Sequence, residues 1–167
     1  GENLDQWLYR SIRAHRSPFM DHIMHAASDL GDTKVVLGTI LLFSTYGDPY
    51  QRETAKLSFT SVLLTQGAVS LLKLAINRPR PDGRLYPRNN SSFPSGHAAG
   101  SFALATIVAN RHPRYRVPCY AMATLVAYSR VYLGRHYPGD VLGGALLGYL
   151  ASKGVLHFQR RVLEFEF

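Results

Sequence analysis

Three short segments of this 167-residue chain carry the side chains that could do chemistry together. In chain order they are Lys73 with Arg80-Pro81, then Pro94-Ser95-Gly96-His97, then Ser129-Arg130 with His136 and Asp140. They supply three fixed cations, two imidazoles, one carboxylate and a glycine-containing turn of backbone amides. Cations and amides can hold a phosphate, one imidazole can attack phosphorus, and the other can protonate the leaving oxygen. The three segments together predict a site that binds and transfers a phosphoryl group.

The first segment lies where an apolar run ends. Lys73 closes the run, and Pro79 and Pro81 prevent the helix from continuing. Lys73 and Arg80 can therefore reach one anion, from the helix end and from the loop beyond it. Arg80 offers a planar fork for two oxygens, whereas Lys73 acts as a point charge. Arg84 and Arg88, further along the loop, are expected to be solvated.

The second segment precedes the apolar run 98–109. A Ser95-Gly96 pair that opens a helix presents free backbone amides to an anion, helped by the positive end of the helix dipole. Gly96 lets the backbone approach closely because it has no side chain. His97 would stand in the first turn and face the same anion. Taken alone, this segment is equally compatible with a helix cap next to an incidental histidine.

The third segment separates two apolar runs. Pro138 suits the first position of the second helix, and His136 precedes Asp140 by four residues. The carboxylate can therefore reach back to one ring nitrogen, fix the tautomer and leave the other nitrogen free to attack. A capping Asp140 beside a surface His136 is the alternative interpretation.

In this order and spacing the three segments resemble the signature of the type 2 phosphatidic acid phosphatase superfamily. The resemblance covers roughly residues 73–140 and departs from the signature at no position. It implies a metal-free mechanism without a cofactor, in which His136 is the nucleophile, Asp140 its orienting carboxylate and His97 the acid. The phosphate would be held by the remaining site residues, namely Lys73, Arg80, Ser95, Gly96 and Arg130.

The same superfamily leaves other functions open. Soluble acid phosphatases and vanadium haloperoxidases share this pocket, and a non-catalytic phospholipid binder or transporter could use the same fold. The complete set of His97, His136 and Asp140 argues against a pure binder. A separate metal site is not expected either, because His22 and His25 lie three residues apart without a cysteine or carboxylate cluster to complete a ligand set.

Composition limits the choice of partner. The formal net charge is +8 and 46% of the residues are hydrophobic, which favours an acidic partner for a folded single domain. Nucleic acid is not expected, because the cations are not gathered on one helix face or tail. The lone Cys119 allows no disulfide. The predicted partners are a lipid phosphate and membrane lipids, while the oligomeric state and the particular lipid stay open.

Five apolar runs, at 35–46, 57–72, 98–109, 117–133 and 141–156, indicate a membrane bundle, although none reaches the length of a plain span. Threading each run once across a bilayer places 1–34, 74–96 and 134–140 on one side, with all three segments of the site. The opposite side receives 47–56, 111–116 and the tail, with eight of the twelve cations outside the site segments. By the positive-inside bias this second side is cytoplasmic. The site is therefore expected to face the periplasm or the outside, in a multi-pass protein of the cytoplasmic (inner) membrane.

The predicted fold is an all-α, membrane-embedded bundle of about five to six helices. Residues 1–31 are expected to form interfacial amphipathic helices, residues 33–157 the bundle with the site, and residues 158–167 a tail. The apolar stripe of the first helix is expected at Leu4, Trp7, Leu8 and Ile12. That of the second helix, which Ser17 and Pro18 open, is expected at Phe19, Ile23, Met24 and Ala27. Glycines 143, 144 and 148 are expected to allow close helix packing.

Overall fold

The chain folds into helices throughout the part that the computed structural model describes, residues 3–84 and 86–164. These residues form eight α-helices and two short 3₁₀ turns, and contain no β-strand. The helices are α1 (Leu4–Ala14), α2 (Pro18–Leu30), α3 (Thr33–Tyr46), α4 (Pro49–Ile76), α5 (Gly96–Arg111), α6 (Arg116–Tyr132), α7 (Pro138–His157) and α8 (Gln159–Glu164). The all-α prediction is confirmed, and the five apolar runs fall on α3 to α7.

Local capping signals set the helix boundaries. Ser17 caps α2 by accepting a hydrogen bond from the Met20 amide at 3.3 Å, and Pro18 takes the first helical position, as predicted. Helix α4 ends before Asn77, which adopts the left-handed conformation with φ of 47°. The prolines that follow keep the chain extended, so Lys73 lies in the last turn of α4 and the next segment leaves the helix there.

One of the predicted helix boundaries is wrong. Residues 47–56 were expected as a loop, yet α4 begins at Pro49 because Asp48 and Gln51 form a reciprocal cap, with hydrogen bonds of 2.8 and 3.0 Å. The expected tail contains the short helix α8. The helix count is thus eight in the described residues rather than five to six, while Gly1 and residues 165–167 lie outside them.

Helix α5 lies at the centre of the bundle, against α4, α6 and α7. Its Ala98, Ala99 and Ala103 are fully buried. On α7, a Cβ at Gly144 or Gly148 would collide with the backbone carbonyl oxygen of Ser95 or Ala99. The expected close approach of helices is confirmed for these two glycines, whereas Gly143 faces the Phe93 ring. The approach joins the helix starts that carry the second and third segments of the site. There the Ser95 amide donates to the Asp140 carbonyl at 2.9 Å.

The outer faces of the bundle are apolar. Leu142, Leu146 and Leu150 recur along one face of α7 and are each more than half exposed. Helix α4 likewise exposes Leu63, Leu64 and Leu71. By length and composition one helix among the described residues, Pro49–Ile76, could cross a membrane, and Thr33–Tyr46 is a shorter apolar helix. Contiguous apolar surface of this kind indicates contact with lipid or with another apolar partner.

The apolar stripes of the two N-terminal helices are partly buried against the bundle and partly exposed. Ile12 of α1 packs on the core cluster, whereas Leu4 and Trp7 are more than half exposed. On α2, Met24 is buried and Phe19 is 74% exposed. The stripes predicted from spacing are therefore only partly buried, because α1 and α2 rest on the bundle along one edge.

Segments that were predicted to lie on the same side of the membrane lie at the same end of the bundle. At one end Asp5 of α1 accepts from the Gly139 amide at 2.7 Å and from Arg78 at 2.6 Å. At the other end the Tyr50 hydroxyl donates to the Arg111 carbonyl at 2.7 Å, and Lys56 donates to the Leu163 carbonyl at 3.2 Å. All three site segments lie at the first end, called the catalytic end below; the second is called the basic end.

Candidate active site

The first segment brings two cations to the catalytic end. Lys73, in the last turn of α4, donates to the carbonyl of Ser91. Arg80, in the loop beyond, is fixed by Asn90, whose carbonyl and side-chain oxygen accept hydrogen bonds at 3.1 and 2.6 Å. Its remaining nitrogen, Nη1, donates to the Arg135 carbonyl at 3.1 Å. Arg80 is thereby held across the loop that carries His136. Arg84 and Arg88 are exposed, as expected.

The second segment starts α5 as predicted. Ser95 is the N-cap residue, and its hydroxyl accepts from the Ala98 amide at 3.4 Å. The following amides, of Gly96 and His97, occupy the first helical positions, where N–H groups have no partner within the helix. Gln66 of α4 donates to the Gly96 carbonyl at 3.1 Å and holds the turn in place. Because Ser95 is fully buried, the free amides are better placed than its hydroxyl to meet an anion.

His136 is almost completely buried in the loop between α6 and α7, with 2% of its surface exposed. Its Nδ1 lies 2.8 Å from the Ser92 carbonyl oxygen. A carbonyl can only accept, so Nδ1 carries the proton in this hydrogen bond and Nε2 has a free lone pair. The tautomer needed for attack through Nε2 is thus set by a backbone carbonyl two residues before the second segment.

Asp140 contacts the histidine differently from the expectation. Its Oδ2 lies 3.8 Å from Nδ1 of His136, within reach of an ion pair but beyond a hydrogen bond. The hydrogen bond expected from Asp140 comes instead from the Ser92 carbonyl. Asp140 itself is fully buried and accepts from Arg78 Nη1 at 2.7 Å, the Ser92 hydroxyl at 2.5 Å and the Tyr137 amide at 2.8 Å. The carboxylate is therefore held in place beside the ring by three donors.

The charges of all three segments act on His136. Burial lowers the pKa of its imidazole well below the usual value, and Arg80, Arg130 and Lys73 lower it further by repelling the protonated form. Burial likewise lowers the pKa of the Arg80 guanidinium. The ring is consequently neutral near pH 7, as a nucleophile must be. Three cations around a neutral imidazole form a place for a substrate anion.

An open pocket of roughly 350 Å³ lies at this end. It is lined by Arg80, His97 and Arg130 from the predicted site, and also by Ser28, Asp29, Asp32, Tyr86, Asn90 and Arg135. His97 Nε2 is 4.0 Å from an Asp32 carboxylate oxygen. The Nε of Arg130 is buried and has no hydrogen-bond partner among the described residues. This donor of the clamp is therefore unsatisfied within the described part of the chain.

Three residues of the site were not foreseen. Arg78 pairs with Asp140, stacks 4.5 Å above the Tyr137 ring and binds Asp5, while Ser92 contacts both Asp140 and His136. Arg78 belongs to the same Arg-Pro-Arg-Pro stretch as Arg80, so its position was a usable signal. Asp5 lies 135 positions before Asp140 in the chain, and the spacing of residues gives no signal that the two belong to one site.

The described part of the chain contains no group of three or more His, Cys, Asp or Glu side chains that could hold a metal ion. His22 and His25 are exposed on α2, and His22 Nδ1 pairs with its own helix at the Pro18 carbonyl, 2.8 Å away. A catalytic mechanism without a metal remains a prediction.

A helical bundle with three cations, two imidazoles and a helix start at one end defines the class to which the chain belongs. The chain is a member of the PAP2 superfamily, whose family model matches residues 55–164. Its fold is similar to the crystal structure of Aquifex aeolicus LpxE, with a TM-score of 0.81 and 28% identity over 93% of this chain and 96% of that one. It is also similar to the crystal structure of a transmembrane PAP2 type phosphatidylglycerolphosphate phosphatase from Bacillus subtilis, with a TM-score of 0.72 and 25% identity over 97% of this chain and 87% of that one. This second neighbour and the exposed apolar helix faces indicate that the chain is a membrane protein.

Two relatives show how far the similarity extends. Phosphatidylglycerophosphatase B of Bacillus subtilis is 28% identical over 98% of this chain and 87% of its own length. The lipid A 1-phosphatase of Porphyromonas gingivalis is 38% identical over 54% of this chain. The match spans only 20% of that second relative.

Proposed function

We propose that this chain is a metal-independent phosphatase of membrane lipids, which hydrolyses a phosphomonoester or diphosphate headgroup through a phosphohistidine on His136. One observation carries the proposal. His136 is buried and neutral, and its Nδ1 is bound to the Ser92 carbonyl, which leaves Nε2 with a free lone pair. The positive charges of Lys73, Arg80 and Arg130 act on the same ring. This arrangement suits nucleophilic attack on a bound phosphate.

In the first step Nε2 of His136 attacks phosphorus. The P–N bond forms as the bond to the lipid oxygen breaks, and the leaving oxygen takes a proton from His97. The imidazole becomes positively charged in the phosphohistidine, and Asp140 stabilises that charge from 3.8 Å. Lys73, Arg80, Arg130 and the amides of Gly96 and His97 neutralise the equatorial oxygens, and Ser95 is the remaining candidate for contact with them.

In the second step water replaces the histidine. The now neutral His97 accepts a proton from the water, whose oxygen attacks phosphorus as the P–N bond breaks. Inorganic phosphate leaves, His136 returns to its neutral form, and His97 is protonated again for the next turnover. No metal ion or cofactor takes part, and each proton that His97 gives is recovered from the water.

The substrate class follows from the surroundings of the pocket. The phosphate site lies at the end of a bundle whose outer faces are apolar, so a lipid can present its headgroup while its chains stay in the bilayer. Phosphatidic acid, phosphatidylglycerophosphate, undecaprenyl diphosphate and a lipid A phosphate share this headgroup chemistry. The relatives' names, phosphatidylglycerophosphatase B and lipid A 1-phosphatase, support this class.

The proposed location is the cytoplasmic (inner) membrane, crossed several times, with the catalytic end facing the periplasm or the outside. The excess of cations at the basic end supports this orientation through the positive-inside bias. The proposed organisation is one PAP2-type domain, with α1 and α2 at the membrane interface and α3 to α7 as the bundle. Whether the bundle has this orientation can be read from the accessibility of single cysteines at Arg84 and Arg160 in intact cells.

The test of function is phosphate release from the four candidate lipids in detergent, with His136→Gln and the exposed His25→Gln as a matched pair. His136→Gln is expected to abolish release and the covalent phosphate that rapid quenching traps on the wild type, whereas His25→Gln retains both. Vanadate should inhibit and chelators should not. Turnover in His136→Gln, or a strict requirement for a divalent metal, would overturn the mechanism.

Two other functions give different results in the same preparation. A non-catalytic lipid binder would retain the candidate lipids without releasing phosphate. A soluble phosphatase related to the acid phosphatases or haloperoxidases would stay in the aqueous fraction without detergent. Extraction only by detergent, together with turnover of a lipid phosphate, distinguishes the proposed enzyme from both.

A further inference from the structure

A second cavity, of roughly 390 Å³, lies at the basic end of the bundle between α3, α4 and α5. It has no part in the catalytic site. The 16-residue helix α5 starts at the second segment of the site and ends at the loop that lines this cavity. At about 1.5 Å per residue, the two ends of α5 are ~24 Å apart. We call this cavity the basic-end pocket. Its walls are formed by Ile40, Phe43, Ala55, Leu104, Val108 and the aliphatic parts of neighbouring side chains.

The two threonine hydroxyl groups in these walls are already hydrogen-bonded within the protein. Thr39 donates to the Val35 carbonyl and Thr54 to the Tyr50 carbonyl, each at 2.9 Å within its own helix. Such bonds satisfy the hydroxyls internally and leave their methyl groups to line the cavity. The interior therefore suits a hydrocarbon chain. Phe43 is 44% exposed at the edge, so the pocket borders the apolar outer surface of α3.

The mouth of the pocket is cationic. Arg114 and His112, from the turn between α5 and α6, line it together with Tyr115. The nearby Arg111 is already neutralised by Glu53, at 2.5 Å, and lies 3.9 Å above the Tyr50 ring. Arg114 stacks 4.6 Å above Tyr115, and among residues 3–84 and 86–164 no carboxylate pairs with it. One guanidinium is thus left to meet an anion at the edge of an apolar cavity.

We propose that the basic-end pocket binds an anionic phospholipid of the surrounding membrane, with one acyl chain between α3 and α5 and its phosphate against Arg114. Basic pockets between membrane helices bind anionic headgroups in this way. The charge of the mouth selects an anionic lipid over a zwitterionic one, and the apolar walls select a lipid over free phosphate. The site is independent of catalysis and goes beyond the proposed phosphatase function.

The test uses the full chain in a neutral detergent and native mass spectrometry with dioleoylphosphatidylglycerol or dioleoylphosphatidylcholine. Phosphatidylglycerol contains a phosphodiester and lacks the terminal phosphate that the catalytic site is proposed to hydrolyse. We expect the wild type to retain phosphatidylglycerol in preference to phosphatidylcholine, in the presence or absence of vanadate. Arg114→Gln should weaken phosphatidylglycerol retention about fivefold.

Two further variants distinguish lipid binding in the pocket from lipid binding elsewhere on the protein surface. Thr39→Phe, at an exposed position on the wall, should fill the cavity and lower retention of both lipids. Arg160→Gln, an exposed α8 residue outside the pocket lining, makes the same charge change as Arg114→Gln and should retain the wild-type preference. Neither residue belongs to the catalytic site, so phosphate release should be unchanged in both.

Three results would overturn the proposal. They are equal retention of the two lipids by the wild type, an equal loss of preference in Arg160→Gln and Arg114→Gln, and undiminished binding in Thr39→Phe. Because lipid retention is measured without turnover, each result leaves the phosphatase assignment untouched, and failure of that assignment leaves the lipid site testable.

Discussion

The guanidinium of Arg78 lies 2.7 Å from Oδ1 of Asp140, and Asp140 is fully buried. The opposite guanidinium nitrogen lies 2.6 Å from Asp5 of α1. Arg78 thus balances the buried carboxylate beside His136 and attaches the N-terminal helix to the catalytic end. A buried charge is tolerated when it is paired and hydrogen-bonded, so the position of Asp140 depends on Arg78.

Arg78→Met should lower both stability and turnover. Removing the partner leaves Asp140 buried with one fewer charged hydrogen bond, which costs about 1.5–3 kcal/mol. The thermal midpoint in detergent and kcat for a lipid phosphate are the measurements. The exposed Arg84→Met removes the same charge from the same loop and should change neither. Equal behaviour of the two variants would exclude a positioning role for Arg78.

Asp140→Asn should reduce kcat strongly, by up to ~10⁴ if Asp140 acts as the orienting carboxylate of a hydrolase triad does. The hydrogen bond from Nδ1 of His136 to the Ser92 carbonyl remains, so the variant should still bind vanadate. What it loses is the negative charge that stabilises the imidazolium of the phosphohistidine. Quench-flow trapping of the covalent phosphate checks this, because the variant should form it slowly. Near-normal formation would show that the Ser92 carbonyl alone suffices.

Gly148→Ala should destabilise the bundle. The new methyl group would collide with the Ala99 carbonyl oxygen, forcing α5 and α7 apart and moving their helix starts out of register. Gly154, further along the same helix, has open space at the corresponding position, so Gly154→Ala is the matched control. The control should be neutral or more stable, because alanine favours a helix by up to ~1 kcal/mol over glycine. Thermal midpoints and phosphate release of both variants test this, and similar losses in the two would contradict it.

The low pKa of His136 makes its contribution to stability depend on pH. The unfolded ring has a pKa near 6.5, whereas the native ring binds a proton only well below that value. As pH falls below 6.5 the unfolded state binds more protons, so stability decreases until the native ring also becomes protonated. The difference in thermal midpoint between wild type and His136→Gln should therefore change in this acidic window and be constant above it. A difference independent of pH would contradict burial of a neutral ring.

Much of the fold was predictable because its signals are local. Ser17 with Pro18, Ser95 and Pro138 mark helix starts, Asn77 and the prolines beyond it mark an end, and α3 to α7 correspond to the apolar runs. The errors have the same local origin. The apolar run 57–72 does not include the cap formed by Asp48 and Gln51, so the predicted start of α4 is eight residues too late. The stripes of α1 and α2 were assigned from periodicity, which identifies an apolar face without showing what covers it.

The sequence by itself determined the chemical inventory and its grouping at one end of the bundle, because residue types, helix breaks and alternating crossings are written along the chain. Only the tertiary structure decided which groups touch. Spacing suggested that Asp140 binds His136, but the Ser92 carbonyl takes Nδ1, while Arg78, Ser92 and Tyr137 occupy the oxygens of Asp140. Hydrogen bonds require contact within about 3 Å. Ser92 lies 44 positions from His136, and Arg78 lies 62 positions from Asp140, so these contacts depend on how the helices pack.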